Sequence, residues 1–244
     1  MLYYRPCQRD DGAAIEAITA YVEKNPRHGF GLLHSTFQNQ GQPWGKTVLW
    51  RVYRELKLNL PRRGKKRLPD RIREPLEVPR LPNDTWSADF MADSLWSGRR
   101  FRTFNVMDDY NRQALRIEID TSLPAARVIR ALDQLIELRG KPKRLRMDNG
   151  PEFVSKALAD WAQRHAITLQ FIQPGKPTQN AYIERFNRTY RTEVLDCYVF
   201  ESLAEVRRMT EDWMHRYNHE RPHEALGRIP PVRFAMAQSP QPLL

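Results

Sequence analysis

The order of periodicities between residues 81 and 182 constrains this chain more than any other feature. Three segments of strand period come first, and helix and strand periods then alternate. In 85–90, Trp86, Ala88 and Phe90 fall on one face and Thr85, Ser87 and Asp89 on the other, as a two-residue period requires. The segment reads as a strand ending on an inward carboxylate. Residues 102–107 and 113–120 read as two more strands around a turn at Asp109-Tyr110-Asn111-Arg112. The second alternates Leu115, Ile117 and Ile119 against Arg116, Glu118 and Asp120, which predicts a hairpin with one wet face. After Pro124, Val128, Ile129, Leu132, Leu135 and Ile136 form a helical stripe closed by Gly140 and Pro142. A strand over 143–147, a helix from about 152 to 165 and a strand over 167–172 complete the series. The expected product is an α/β core: a mixed sheet with helices packed on its faces.

The flanks differ in kind. At the head, Ala14, Ile15, Ile18, Tyr21 and Val22 recur at helical spacing until Asn25-Pro26, Phe30, Leu33 and Phe37 mark a helix ending at Gly41, and Val48, Val52, Tyr53 and Leu56 mark a third. Three short helices with a glycine in the turn suggest a helix-turn-helix, with a purely structural helical subdomain as the alternative. A basic run follows, Arg62, Arg63, Lys65, Lys66, Arg67, Arg71 and Arg73, broken by Pro61, Gly64 and Pro69. It reads as an extended linker able to follow a nucleic-acid backbone, or as a solvated tether. Beyond 182 come a long helix entered near Gln179, a second amphipathic helix from about 203 to 218, and a proline-rich tail. The expected organisation is a helical subdomain over 1–60, a basic linker over 61–80, a catalytic core over 81–200, and a helix and tail over 201–244 completing that core.

Charge points to the partner. Forty Lys and Arg against 29 Asp and Glu leave a net +11, and the first 80 residues carry 16 basic and 8 acidic side chains. Such an excess suits a phosphate-rich partner. With 41% hydrophobic and 28% charged residues, wholesale disorder is excluded. No apolar run reaches membrane-spanning length and the start has no signal-peptide plan, so a soluble, cytoplasmic protein without membrane contact is expected. The only cysteines, Cys7 and Cys197, are far apart, which argues against a structural zinc module and suits a reducing compartment.

Three carboxylates stand out by context. Asp89 ends the first strand, Asp148 the fourth, and Glu184 sits in the first turns of the long helix, with 58 and 35 residues between successive members. Left bare in one cleft they would repel strongly. Carboxylate oxygens with water are what Mg²⁺ or Mn²⁺ prefers. Two such ions roughly 3.5 to 4 Å apart can hold a scissile phosphate, one activating the attacking oxygen and one stabilising the leaving oxygen.

The runs Trp86-Ser87-Ala88-Asp89, Arg146-Met147-Asp148-Asn149-Gly150-Pro151-Glu152-Phe153, and Pro174-Gly175-Lys176-Pro177-Thr178-Gln179-Asn180-Ala181-Tyr182-Ile183-Glu184-Arg185-Phe186-Asn187 resemble the catalytic blocks of retroviral-integrase-like DDE transposases. The tail Tyr217-Asn218-His219-Glu220-Arg221-Pro222-His223-Glu224-Ala225-Leu226 with Pro230-Pro231, and Tyr3-Tyr4-Arg5-Pro6, are similar to signatures of the orfB product of the bacterial insertion-sequence-three family. The resemblance implies an RNase H-like, five-stranded core in which Asp89, Asp148 and Glu184 are both catalytic and metal-binding. It further implies two Mg²⁺ or Mn²⁺ ions, nicking of double-stranded DNA at the element's terminal inverted repeats, and transfer of the 3′-hydroxyl into target DNA. As partners it implies the upstream orfA product, joined by frameshifting, and a multimer on DNA.

Arg191, seven residues past Glu184, matches a basic position of the family and falls on the same helical face, placed for a terminal phosphate or simply solvated. Arg188 on that stripe, and Lys176 and Asn180 at the loop and helix start, are further candidate DNA contacts, with the linker residues Arg62, Arg63, Lys65, Lys66 and Arg67. His215, His219 and His223 are spaced for one helix face, but Pro222 breaks it, so Tyr217, His219, Arg221 and His223 are read as packing and phosphate-contact residues rather than metal ligands. Asp108 and Asp109 are assigned to a turn. The alternative reading is a DNA-binding regulator or inactive transposase remnant, which explains the charge and the helical head but gives the triad no role.

Overall fold

The computed structural model describes residues 10–60, 79–173 and 177–238, which fall into two compact units, Met1–Leu68 and Pro69–Leu244. The basic linker run, Lys176 and the segment Tyr3 to Arg5 lie outside the described residues. Among those described, no helix is long and apolar enough to cross a membrane.

The first unit holds the three expected helices, α1 (Gly12–Lys24), α2 (Phe30–Asn39) and α3 (Lys46–Glu55). One apolar face from each meets in a small core of Ile18, Leu33, Phe37, Leu49, Val52 and Tyr53. Arg51 on α3 forks onto Asp11 before α1, with N–O distances of 2.7 and 2.8 Å, and so fixes the third helix against the first. The opposite side of α3 leaves Lys46, Thr47, Trp50 and Arg54 exposed.

The second unit is a five-stranded sheet between two helical layers. Its strands are β1 (Thr85–Ser94), β2 (Arg100–Asp108), β3 (Ala114–Asp120), β4 (Arg144–Met147) and β5 (Thr168–Phe171), in the order β3-β2-β1-β4-β5. The β1-β2-β3 meander is antiparallel, while β4 and β5 run parallel to β1, giving the mixed sheet that the periodicity implies. On one face, Trp86, Ala88, Phe104, Val106, Leu145 and Met147 pack against α4 (Ala125–Arg139) and α5 (Lys156–His165). On the other, Phe101, Met107 and Ile119 pack against α6 (Ala181–Tyr190) and α7 (Leu203–His219).

Four expectations need correcting. The hairpin has no wet face on β2, because α6 and α7 cover the side opposite α4 and leave Thr103 and Asn105 wholly buried. Nor do Leu115, Ile117 and Ile119 share a face. Ala114 pairs with Met107 and Arg116 with Val106, so Leu115 is an extra residue in a β-bulge and turns toward the α4 layer, whereas Ile117 and Ile119 face α6 and α7. Helix α5 begins at Lys156 rather than near 152, since Ser155 caps it by accepting the Leu158 N–H at 3.3 Å. Finally, part of the proline-rich tail is a helix, α8 (Pro231–Gln238), with Pro231 in the first position, where its missing N–H leaves no bond unmade.

Candidate active site

Asp89 sits in the middle of β1, not at its end, because the hairpin carries pairing on to Ser94 opposite Arg100. The strand's alternation sends Trp86 and Ala88 into the α4 layer and leaves Ser87 and Asp89 on the α6 side. Both carboxylate oxygens of Asp89 are engaged: Oδ1 accepts the Phe90 N–H at 2.8 Å and Oδ2 accepts Asn187 Nδ2 at 2.7 Å. Burial pushes this carboxyl up to about 6 against the pull of those hydrogen bonds, and the charges of Asp148 and Glu184 push the same way.

Asp148 follows the last residue of β4. Ser87 pairs with Arg146, so Asp148, two residues further along the parallel neighbour, comes level with Asp89. Its Oδ1 accepts the Gly150 N–H at 3.0 Å in a tight turn. A Cβ at position 150 would stand 3.0 Å from that same oxygen, so glycine is what allows the backbone to close on the carboxylate. Beyond it, Glu152 pairs with Arg102, whose guanidinium lies 4.5 Å above the Phe90 ring, fastening the turn to β2.

Glu184 is exposed on α6, one helical turn before Asn187. Asn187 in turn reaches Asp89, which places Glu184 beside the same stretch of sheet. The three carboxylates thus come from three elements onto one side of the sheet, near enough for the charges of Asp148 and Glu184 to act on Asp89. Among the described residues, no three His, Cys, Asp or Glu side chains are closed on a common centre. The donor set nonetheless fits a hard divalent cation: all donors are carboxylate oxygens, and Asp89 is held with an unrelieved excess of negative charge around it.

The surrounding floor is polar. Thr85 Oγ1, Thr103 Oγ1, Asn105 Oδ1 and Asn180 Oδ1 are buried without a hydrogen-bond partner among the described residues, while Ser87 bonds Asp109. Asn180, expected to contact DNA, is only 3% exposed and turns inward at the start of α6. Arg188 is exposed on α6. Arg191 follows α6 with α-helical backbone angles, opens a π-helical turn, Arg191–Leu195, and bonds the Ala92 carbonyl at 2.8 Å and Asp93 at 3.1 Å at the far end of β1.

Of the tail residues, Tyr217, Arg221 and His223 have packing or pairing roles, and His219 is exposed. Arg221 bonds Glu193 at 3.0 Å, Trp213 bonds the other oxygen of Glu193 at 2.9 Å, and Tyr217 is buried. Burial, aided by Arg221, pushes His223 down to about 3, so its imidazole is neutral. Asp108 accepts the N–H groups of Asn83 and Tyr110 and forms the expected turn. Asp109 pairs with the buried Arg146 at 2.9 Å, a structural use that keeps both out of the carboxylate group.

Sequence reasoning missed Asn187 and Asn105. Asn105 Nδ2 donates to Asn187 Oδ1 at 2.7 Å beneath α6. The available signal was an asparagine in the middle of a strand, where that residue is disfavoured unless something holds its amide.

Two sequence models of the integrase core domain match the chain, one over residues 79–177 and the other over 165–231. The uncharacterized 31.7 kDa protein of insertion element IS407 from Burkholderia multivorans is 42% identical over 209 residues, covering 86% of this chain and 76% of that protein. The uncharacterized 39.2 kDa protein of insertion element IS476 from Xanthomonas euvesicatoria is 42% identical over 226 residues; this chain has 91% of its length aligned and spans 65% of that relative. In the cryo-EM structure of the simian T-cell lymphotropic virus intasome with PP2A regulatory subunit B56 gamma, one chain is similar in fold, with a TM-score of 0.55 at 16% identity, covering 86% of this chain and 76% of that one. The sheet order and flanking helices therefore form an RNase H-like integrase core.

Proposed function

The chain belongs to the integrase core domain family carried by insertion elements, and from that premise we propose that it is the DDE transposase of such an element, nicking DNA at the element ends and joining the freed 3′-hydroxyl to target DNA. The observation that carries the reading is the Asp89 carboxyl, held by Asn187 and raised chiefly by burial, with the charges of Asp148 and Glu184 close enough to add to the rise. Among the described residues, none of the three carboxylates, from β1, the β4 end and α6, is paired with a basic side chain, although Asp109, Glu118 and Glu152 are.

Asp89, Asp148 and Glu184 would hold Mg²⁺ or Mn²⁺, which when bound supplies Lewis acidity to the scissile phosphate and to the attacking and leaving oxygens. The chain's own residues prepare that site. The Phe90 N–H and Asn187 pin the plane of the Asp89 carboxylate. The Gly150 N–H holds Asp148 at the lip of the sheet, and α6 carries Glu184 on its exposed side, where a DNA strand has access. Arg188, one turn past Glu184, is placed to meet a phosphate. The exposed Lys46, Trp50 and Arg54 of α3 and the basic run of Arg62, Arg63, Lys65, Lys66 and Arg67 supply further contacts to the double helix. Two element ends must be joined in one event, so the acting form is a multimer on DNA, with the upstream orfA product as partner.

The test is cleavage and strand transfer on a labelled element-end duplex with Mg²⁺ or Mn²⁺, comparing the chain and its fusion to the upstream frame with Glu184→Gln. Metal-dependent products that vanish in Glu184→Gln support the reading. A fusion that binds the ends but yields no metal-dependent product leaves a DNA-binding protein without chemistry, and products that are the same with and without Glu184 overturn the assignment of the triad.

A further inference from the structure

We propose that Asn105 is a positioning residue that sets the orientation of the Asp89 carboxylate through Asn187. The inference rests on the reading of Asp89 as a metal-holding group. Asn105 stands directly opposite Asp89 in the β1-β2 register, yet it does not touch the carboxylate. It donates to Asn187 Oδ1 at 2.7 Å, and Asn187 Nδ2 donates to Asp89 Oδ2 at 2.7 Å.

The direction of this chain of bonds follows from its last member. An ionised carboxylate only accepts, so Asn187 must present its NH₂ to Asp89 and its carbonyl oxygen to Asn105. Asn105 must then be the donor. Without that donor the Asn187 amide can turn over and set its carbonyl oxygen against the carboxylate, where the two repel. Both oxygens of Asp89 accept one N–H each, so with the relay intact the plane of the group is fixed and only its remaining lone pairs face a cation.

The position is otherwise a poor one for asparagine. Asn105 is completely buried, and its own Oδ1 has no partner among the described residues. An unpaired buried carbonyl lowers stability, and asparagine is disfavoured in strands, so an aliphatic residue would serve the fold better here. Packing therefore does not explain Asn105, whereas the relay does. It also crosses three elements, tying β2 to α6, which carries Glu184, and α6 to β1, which carries Asp89.

The full chain, free of DNA, is titrated with Mn²⁺ by calorimetry, and its thermal unfolding is followed without metal, for the wild type, Asn105→Leu, Asn105→Ser and Asp89→Asn. Loss of a group that orients a metal ligand typically weakens metal binding by about 10- to 100-fold. Asn105→Leu is expected to weaken Mn²⁺ binding by about tenfold or more while the metal-free melting temperature stays level or rises. Asp89→Asn is expected to abolish binding. Should Asn105→Leu fail to fold, Asn105→Ser, which removes the amide without added bulk, is read by the same two measurements. Wild-type binding in the Asn105 variant together with lost binding in Asp89→Asn overturns the proposal and leaves the metal reading standing. Weakened binding with a parallel drop in melting temperature marks a packing role and also overturns it. If Asp89→Asn binds Mn²⁺ as the wild type does, the metal reading itself fails, and the relay falls with it.

Discussion

The two faces of the sheet in the larger unit are built from the same five strands to opposite ends. Toward α4 and α5 the strands present Trp86, Ala88, Phe104, Val106, Leu145 and Met147, a dry layer that continues into Leu132, Leu158 and Trp161. Toward α6 and α7 the same strands present Phe101, Met107 and Ile119 in a second apolar cluster, and beside it Ser87, Asp89, Thr103 and Asn105 in a polar patch, where Thr103 Oγ1 and Asn105 Oδ1 are buried without a partner among the described residues. The apolar layers lower the free energy of the fold; the polar patch raises it and keeps a carboxylate and two amides at fixed positions under one helix. A single strand, β1, does both, because its period sends alternate residues to opposite layers.

The sharpest way to break this contrast is to mutate adjacent positions of opposite parity. Trp86→Ala empties the dry layer and is expected to lower stability by about 3–5 kcal/mol, while the strand-transfer rate per folded molecule stays close to wild type. Asp89→Asn should do the reverse. It removes a repelled carboxylate, so thermal stability without metal stays level or rises, while strand transfer falls by at least about 10³-fold, equivalent to several kcal/mol of lost transition-state stabilisation. Melting temperatures and single-turnover strand-transfer rates on the same preparations separate the two. A loss of activity in Trp86→Ala beyond its folded fraction would show that the faces are not independent.

A smaller effect sharpens the same point through pH. The Asp89 carboxyl is raised to about 6 in the folded chain by burial and by its acidic neighbours, against roughly 3.9 when unfolded. The folded state therefore binds this proton more tightly. The group's contribution to stability is fully present below about pH 4 and is lost as pH rises through about 6. Asp109, raised to about 6 mainly by burial, acts with the same sign; Glu118, held low against its burial by Arg116 and then Arg127, and Asp120, held low against its burial by the Thr121 N–H and then Arg127, act with the opposite one. The single group is isolated by difference: relative to wild type, Asp89→Asn without metal should gain about 1–2 kcal/mol between pH 4 and pH 7, read from denaturant unfolding at both values. A pH-independent difference would mean that Asp89 is not under charge stress. Saturating Mn²⁺ should flatten the wild-type curve above pH 6, because the cation relieves what the proton relieved.

The apolar layer under α4 was legible in the sequence and much of the polar patch under α6 was not. The alternation of Trp86, Ala88 and Phe90 and the stripe from Val128 to Ile136 follow from local period alone, so the succession of strands and helices and a mixed sheet with helices on its faces could be inferred from them, but not the order of the strands in the sheet. Asp89 and Asp148 were legible because each sits where a strand meets a turn or an inward polar position. Features that depend on a second strand or on helix geometry were not. An extra residue at Leu115 exists only relative to its partner β2 and cannot be seen in the period of β3. Asn105 and Asn187 are 82 residues apart and acquire a role only when α6 lies across β2. Arg191 was placed on the Glu184 stripe by counting α-helical turns, but its bonds to Ala92 and Asp93 exist only because α6 lies along β1.

Those bonds set the smallest prediction. Arg191 is tied to Ala92 and Asp93 and remains about a third exposed, so as a structural link it should contribute less than about 1 kcal/mol. Its competing use is as a phosphate contact, which needs the guanidinium to leave β1. Asp93→Ala weakens the tie without touching the arginine. If Arg191 serves DNA, Arg191→Ala should weaken binding to element-end and unrelated duplexes alike and reduce the salt slope by about one. Asp93→Ala should in that case strengthen binding slightly, because the arginine no longer has to break an ion pair first. If it serves only the fold, both substitutions lower the melting temperature by a similar small amount and leave the salt dependence of binding unchanged. The second outcome would make Arg191 part of the scaffold that fixes α6 to β1, and would leave Arg188, exposed and one turn closer to Glu184, as the basic residue of α6 that meets the DNA.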